Sequence, residues 1–243
     1  MLDENYLNNL PFKARGIAKM TGYLGDFLQF IDEFPNRPLR VLEIGFGFGQ
    51  LVAELSYLYK DRVDLFGFNS LEDPISVEKI IEVARHLNTI PNTDSLSSDF
   101  LNIQYGDAGK SLPYPDLFFD LVLSQVCIPY VQDKLHLVEE ICRILSPSGM
   151  AYLHVGFEHE RLCDGTIDRW ETLTLHDDKG KIHLNRFFNN FEGFDYYNAE
   201  KGSVLKIKGG SHPFFNISSF TVTDRSEMPS GTYGSCSHYL LKE

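Results

Sequence analysis

Basic residues are scarce: 22 Lys and Arg stand against 34 Asp and Glu in 243 residues, a formal net charge of −12. The few that exist do not cluster, so no positive stripe is available to meet a phosphate backbone, and nucleic acid is not an expected partner. Cysteine is equally sparse. Cys127, Cys142, Cys163 and Cys236 lie far apart with no C-x-x-C, which signals neither a zinc site nor a disulfide framework and suits a reducing, cytoplasmic setting. No apolar run approaches the ~20 residues of a membrane span. Asp3 and Glu4 stand where a targeting segment would be basic, so a soluble, unprocessed protein with no membrane partner is expected. Internal repeats and low-complexity tracts are missing too. What remains is enough chain for one α/β domain with an insertion, and too little to favour two full domains.

The stretch Leu39-Arg-Val-Leu-Glu-Ile-Gly-Phe-Gly-Phe-Gly49 organises the rest. Leu39, Val41, Leu42 and Ile44 predict a strand covered on both faces, and Gln50 to Lys60 switches to helical spacing. This is the opening of a βαβ unit. With no Cβ at Gly45, Gly47 and Gly49, the turn offers bare backbone to a ligand. A dinucleotide fingerprint, G-x-G-x-x-G/A, would need a small residue where Gln50 stands, which disfavours a nicotinamide dehydrogenase.

The register is E-x-G-x-G-x-G, and here the chain resembles the class I S-adenosylmethionine (AdoMet)-dependent methyltransferases. The resemblance continues through the passage Leu112 to Gln125 and through Val138, Glu139, Glu140, Ile141, Arg143, Leu145, Pro147 and Gly149, covering about residues 39–155. It implies a three-layer α/β sandwich with a mostly parallel seven-stranded sheet ending in a C-terminal antiparallel hairpin, and an N-terminal helical lid. The implied divisions are a helical segment at 1–36, an AdoMet-binding core at 37–155, a cap or insertion at 156–212 and a terminal hairpin at 213–243.

The resemblance also implies roles. Glu43, Gly45, Phe46, Gly47 and Gly49 would line the methionine end of AdoMet. Asn69, ending the strand predicted over Val63–Asn69, stands where the family usually places an acid for the ribose hydroxyls. An amide accepts one such bond and donates another without charge assistance; Glu72 or Asp73 are alternatives. Asp107 and Ala108 follow a third strand, Leu101–Tyr105, and would meet the adenine amine and ring nitrogen. Ser124 and Gln125 end a fourth strand, Phe119–Ser124, above which ligands lie in open α/β sheets. Asp120, at that strand's start, reads as structural. Tyr6, Arg15 and Tyr23 belong to a segment that in this family folds over the cofactor, and are candidates to face the acceptor.

Farther along, Cys127-Ile-Pro-Tyr130 is not the Asn/Asp-Pro-Pro-Tyr tetrad of the base and glutamine amino-methyltransferases, which lowers those acceptors. Tyr130, and His159 in a loop expected after the fifth strand, are the catalytic candidates; the imidazole is the side chain best matched to removing a proton at neutral pH. Glu158, His159 and Glu160 are potential metal ligands, but consecutive side chains do not share a face, and no metal is expected. Residues 167–190 suggest a hairpin about Lys179-Gly180, and Phe187, Phe188, Phe191, Phe194, Tyr196 and Tyr197 read first as packing. Phe214–Thr223 and Tyr233–Leu241 are the strands expected for the terminal hairpin.

The function implied is methyl transfer from AdoMet, leaving S-adenosyl-L-homocysteine (AdoHcy), to a small-molecule acceptor by in-line displacement. No Ser/His/Asp or Cys/His arrangement stands out, and none is needed, since the sulfonium already activates the methyl. A protein or RNA acceptor, or a non-catalytic scaffold of the same fold, is the alternative.

Overall fold

The structure is a computed structural model. It describes residues 2–34, 37–72, 74–91, 96–128, 131, 133–160, 167–171, 175–177, 180–182, 188, 190–212 and 221–222, with backbone alone at 5, 11–12, within 156–182 and at 221–222. Three helices come first: α1 (Glu4–Lys13), α2 (Ile17–Leu24) and α3 (Phe27–Glu33). The sequence pattern runs one helix through Leu24 to Phe34, but Gly25, at φ +76°, closes α2 and the Asp26 side chain caps α3 by accepting from Gln29 N at 3.3 Å.

There follow β1 (Leu39–Ile44), α4 (Gln50–Tyr59), β2 (Val63–Asn69), α5 (Val77–His86), β3 (Leu101–Tyr105), β4 (Phe119–Ser124), α6 (Lys134–Ile144) and β5 (Leu145–Glu160). Side-chain caps set two helix starts: Ser76 Oγ accepts from Lys79 N, and Asp133 accepts from His136 N. The remaining strands are β6 (Ile167–Glu171), β7 (Leu175–Asp177), β8 (Gly180–Ile182), β9 (Phe194–Asn198), β10 (Gly202–Lys208) and β11 (Thr221–Val222).

Strand order in the main sheet is β3-β2-β1-β4-β5-β10-β9, with β6 paired to the outer part of β5. β1 to β5 are mutually parallel, β10 is antiparallel to β5, and β9 is antiparallel to β10. Alternation along β1 sends Leu39 and Val41 toward α2, α3 and α4, and Leu42 and Ile44 toward α6. Both faces are thus covered, and each fully buried aliphatic side chain contributes roughly 1.5–3 kcal/mol. That is the three-layer α/β sandwich expected.

One part of the expected layout changes. The antiparallel pair that completes the sheet is β9–β10, formed by residues 194–208, which the sequence reading assigned to a cap. Phe188 and Phe194 stack at 5.8 Å in the α6-side core, and the Tyr197 hydroxyl donates to Leu24 O, so these aromatics pack the sheet's end. Thr221–Val222 pairs with β7 in a separate three-stranded sheet; the rest of the two C-terminal segments lies outside the described residues. β7 and β8 form the hairpin expected around residue 180.

Buried polar networks hold the scaffold. Asp120, at the amino end of β4, accepts from Arg37 Nη1 and Nη2 at 2.7 and 2.6 Å, from Arg40 N at 3.0 Å and from Ser146 Oγ at 2.9 Å. Its structural role is therefore plain. Glu140 and Arg143 of α6 pin the 112–117 loop: Glu140 accepts from Leu112 N, and Arg143 donates to Leu112 O, Tyr114 O and Asp116.

Candidate functional site

The strand order reverses between β1 and β4, and ligands in open α/β sheets lie outside the carboxyl ends of the strands at such a point. The glycine turn occupies it. Gly45, Gly47 and Gly49 have φ of +75°, +57° and +73°, a region side-chain-bearing residues avoid. Packing adds to this at all three, and at Gly47 a Cβ would strike the Lys13 carbonyl. A Cβ at Gly45 would lie 2.7 Å from the Cys127 Cβ, and one at Gly49 2.7 Å from the Ile80 Cγ2. Phe46 turns inward, into space left by Gly67, so the turn presents Phe46 through its backbone.

Glu43 ends up beneath the turn, on the α2 side of β1, with only 1% exposure. Burial pushes its carboxyl up to about 7, against the lowering effect of the Arg15 guanidinium nearby. Its Oε2 and the Gln125 Oε1 have no hydrogen-bond partner. Ser124 and Gln125, at the end of β4, are both buried, and Gln125 offers its carbonyl to Arg15 Nη1 at 3.1 Å. Arg15 Nη2 donates to Gly45 O at 2.7 Å. Lys13 O accepts from Phe48 N at 2.9 Å, and the Tyr6 ring lies 5.0 Å from that of Phe48.

Of the three N-terminal candidates, Tyr6 and Arg15 therefore cover the glycine turn, and Tyr23 stands edge-on to His154 at 5.1 Å. His154 escaped the sequence reading. It is fully buried on β5, one residue past Leu153, the partner of Ser124. The available signal was a titratable residue on the otherwise apolar strand run Tyr152-Leu-His-Val155.

The nucleoside candidates ring the same edge. Asn69 closes β2, and its carbonyl accepts from Gly106 N at 3.0 Å, bringing the ends of β2 and β3 together. Asp107 Oδ1 accepts from Gly109 N at 2.9 Å while its side chain stays half exposed; Ala108 beside it is buried. Glu72 is exposed on the turn after β2, and Asp73 lies outside the described residues.

The two catalytic candidates fare differently. Tyr130 lies outside the described residues. His159 is not in a loop: β5 runs on through Glu160 and pairs His159 with Asp168 of β6. A straight strand would carry it about 20 Å beyond Leu153, six residues back. Among the described residues no group of three or more His, Cys, Asp or Glu is placed to hold a metal. Burial pushes the Cys127 thiol up to about 11, which leaves it un-ionised at neutral pH.

Residues 42–153 match a protein-family model described as "Methyltransferase domain". Among curated proteins, the chain is 28% identical over 136 residues to ajmaline N-methyltransferase of Rauvolfia serpentina, covering 56% of this chain and 42% of that protein. It is 25% identical over 199 residues to the ubiquinone/menaquinone biosynthesis C-methyltransferase UbiE of Vibrio campbellii, covering 70% and 71%. The chain thus spans less than half the length of the Rauvolfia relative. A Methanococcus maripaludis protein described as a candidate S-adenosyl-L-methionine-dependent methyltransferase has the same fold at 17% identity, covering 87% of this chain and 94% of that one, with a TM-score of 0.51. No helix among the described residues is long and apolar enough to cross a membrane.

Proposed function

We propose, from the premise that this chain carries a class I AdoMet-dependent methyltransferase domain, that it transfers the AdoMet methyl to a small-molecule acceptor. The observation that carries this is the acceptor-rich cradle at the strand-order reversal: the Gly45 and Gln125 carbonyls, with the buried, partly unpartnered Glu43 carboxyl close by. Such a set suits a ligand whose amino-acid end carries an ammonium, and the left-handed glycines add no side chain of their own to the turn. Glu43 and the backbone of Gly45 to Gly49 would hold the methionine end, Asn69 the ribose, and Asp107 with the Ala108 amide the adenine. Ser124 and Gln125 would border the reacting end.

Bound AdoMet supplies a methyl already made electrophilic by its sulfonium, so the chain's residues have to orient, enclose and exclude water. Tyr130 and His159 are the acceptor-side candidates in this reading. For a hydroxyl acceptor, His159 takes the proton as the new bond forms; an amine acceptor makes that unnecessary. The acidic chain supports a small molecule over nucleic acid. So do the names of the two curated relatives, which concern ajmaline and ubiquinone/menaquinone biosynthesis.

Calorimetry with AdoHcy, followed by AdoMet turnover on panels of small hydroxyl, amine and carbon acids, tests the proposal. Binding with turnover of one such class supports it. Binding with turnover confined to protein or RNA would replace the acceptor class. An absence of AdoHcy binding would overturn the whole. With a hydroxyl acceptor, His159→Ala should lower turnover roughly 10²-fold while AdoMet affinity is unchanged.

A further inference from the structure

The cradle described above is already filled, and by the chain itself. Arg15 spans the gap between β1 and β4 with one guanidinium, giving Nη2 to Gly45 O at 2.7 Å and Nη1 to Gln125 O at 3.1 Å. The Lys13 carbonyl takes the Phe48 N–H, one of the few donors that the glycine turn has to offer. The open side of Gly47 faces that same carbonyl and the Arg15 Nη2, so no room is left over the turn. Residues 13–16 therefore form a strap across the site.

The interface under the strap is unlike the rest of the core. On the α6 side the sheet is covered by Leu135, Val138, Ile141 and Ile144. Beneath the N-terminal segment, by contrast, lie Glu43, Gln125 and His154, all buried. Two of the polar atoms there, Glu43 Oε2 and Gln125 Oε1, are unsatisfied, which is unfavourable for buried groups. A permanently closed core would have little reason to keep them. Closure leaves them without partners, which works against the hydrogen bonds that hold the strap down.

Resting on the methyltransferase reading, we propose that Arg15 is an internal stand-in for the ammonium of the cofactor's amino-acid end, and that the 13–16 strap gates the site. A guanidinium and an ammonium are both cationic donors, and the two cannot use the Gly45 and Gln125 carbonyls at once. The cofactor enters when the strap lifts. Its apparent affinity is then reduced by the fraction of molecules that are open, and weakening the strap restores it.

The test is AdoHcy binding to the full chain and to Arg15→Ala and Arg15→Gln, by calorimetry and stopped-flow association, with thermal unfolding confirming that each variant folds. In the wild type the observed association rate should level off with AdoHcy concentration at the strap-opening rate. Arg15→Ala should remove the plateau and tighten binding several-fold or more. Arg15→Gln, which keeps hydrogen bonds but not the charge, should fall between. 5′-Methylthioadenosine, which lacks the ammonium, should bind all three with similar affinity. Equal or weaker AdoHcy binding by both variants overturns the gate while leaving the methyltransferase reading standing. No AdoHcy binding by any of the three overturns both.

Discussion

Replacing Asp120 offers the sharpest test of the scaffold beneath the site. Its carboxylate is buried and holds four hydrogen bonds, joining the segment before β1, the start of β1 itself and the start of β5 to β4. In Asp120→Ala the Arg37 side chain, 48% exposed, can turn to water. The Arg40 amide and the Ser146 hydroxyl cannot readily do so. Leaving two such donors unpaired costs about 1–3 kcal/mol each, so the expected loss is about 2–6 kcal/mol. For a chain of this length that lowers the unfolding midpoint by roughly 4–24 °C. Burial alone would raise the Asp120 carboxyl, but the bonds from Arg37, the Arg40 amide and Ser146 outweigh it and hold the group below its ordinary value. Its contribution is accordingly present above the unfolded-state value and is lost as pH falls through the folded one. Wild type and variant should therefore converge in stability at the acid end. Thermal melts across pH, with AdoHcy affinity measured on the folded variant, provide the assay. A midpoint loss under about 2 °C, or a gap that widens in acid, would refute the argument.

Two further outcomes follow from the cradle. Asp107→Ala should weaken AdoHcy binding by about 1–3 kcal/mol, and Asn69→Asp should bind at least as tightly as wild type, both by calorimetry; if both are silent, the nucleoside lies elsewhere. Glu43 holds its proton up to about pH 7, above the ordinary carboxylate value, so the ligand-free protein should lose stability as pH rises through the window between the two. A cation bound beside it favours the ionised form. AdoMet affinity should thus rise with pH through about 7 and flatten in Glu43→Gln; an unchanged pH profile in that variant would dissociate Glu43 from the ligand.

The central strands were legible because the forces that make them are local. A run such as Leu39 to Ile44 that must be apolar on both faces, and a turn that must be glycine at three alternate positions, leave few other solutions. β2, β3 and β4 fall on the spans that their patterns gave. The resemblance to a family put Glu43, Asn69, Asp107, Ser124 and Gln125 at one sheet edge, and strand order brings them there.

Other features depended on contacts between residues far apart in sequence, which no local pattern encodes. Residues 203–208 alternate as well as the segments after residue 213, and pairing with β5 and with residues 194–198 is what gives them their place in the main sheet. Glu140 and Arg143 read as a motif, yet their purpose, fastening the 112–117 loop, appears once α6 lies beside it. His154 looked like one more residue on an apolar strand until Tyr23 came to lie against it. Arg15 is the clearest case. The resemblance implies that its segment folds over a cofactor, whereas the carbonyls it occupies belong to Gly45 and Gln125, 30 and 110 residues away. A backbone carbonyl carries no mark of side-chain type, so which two of them would meet one guanidinium is decided by the tertiary structure alone.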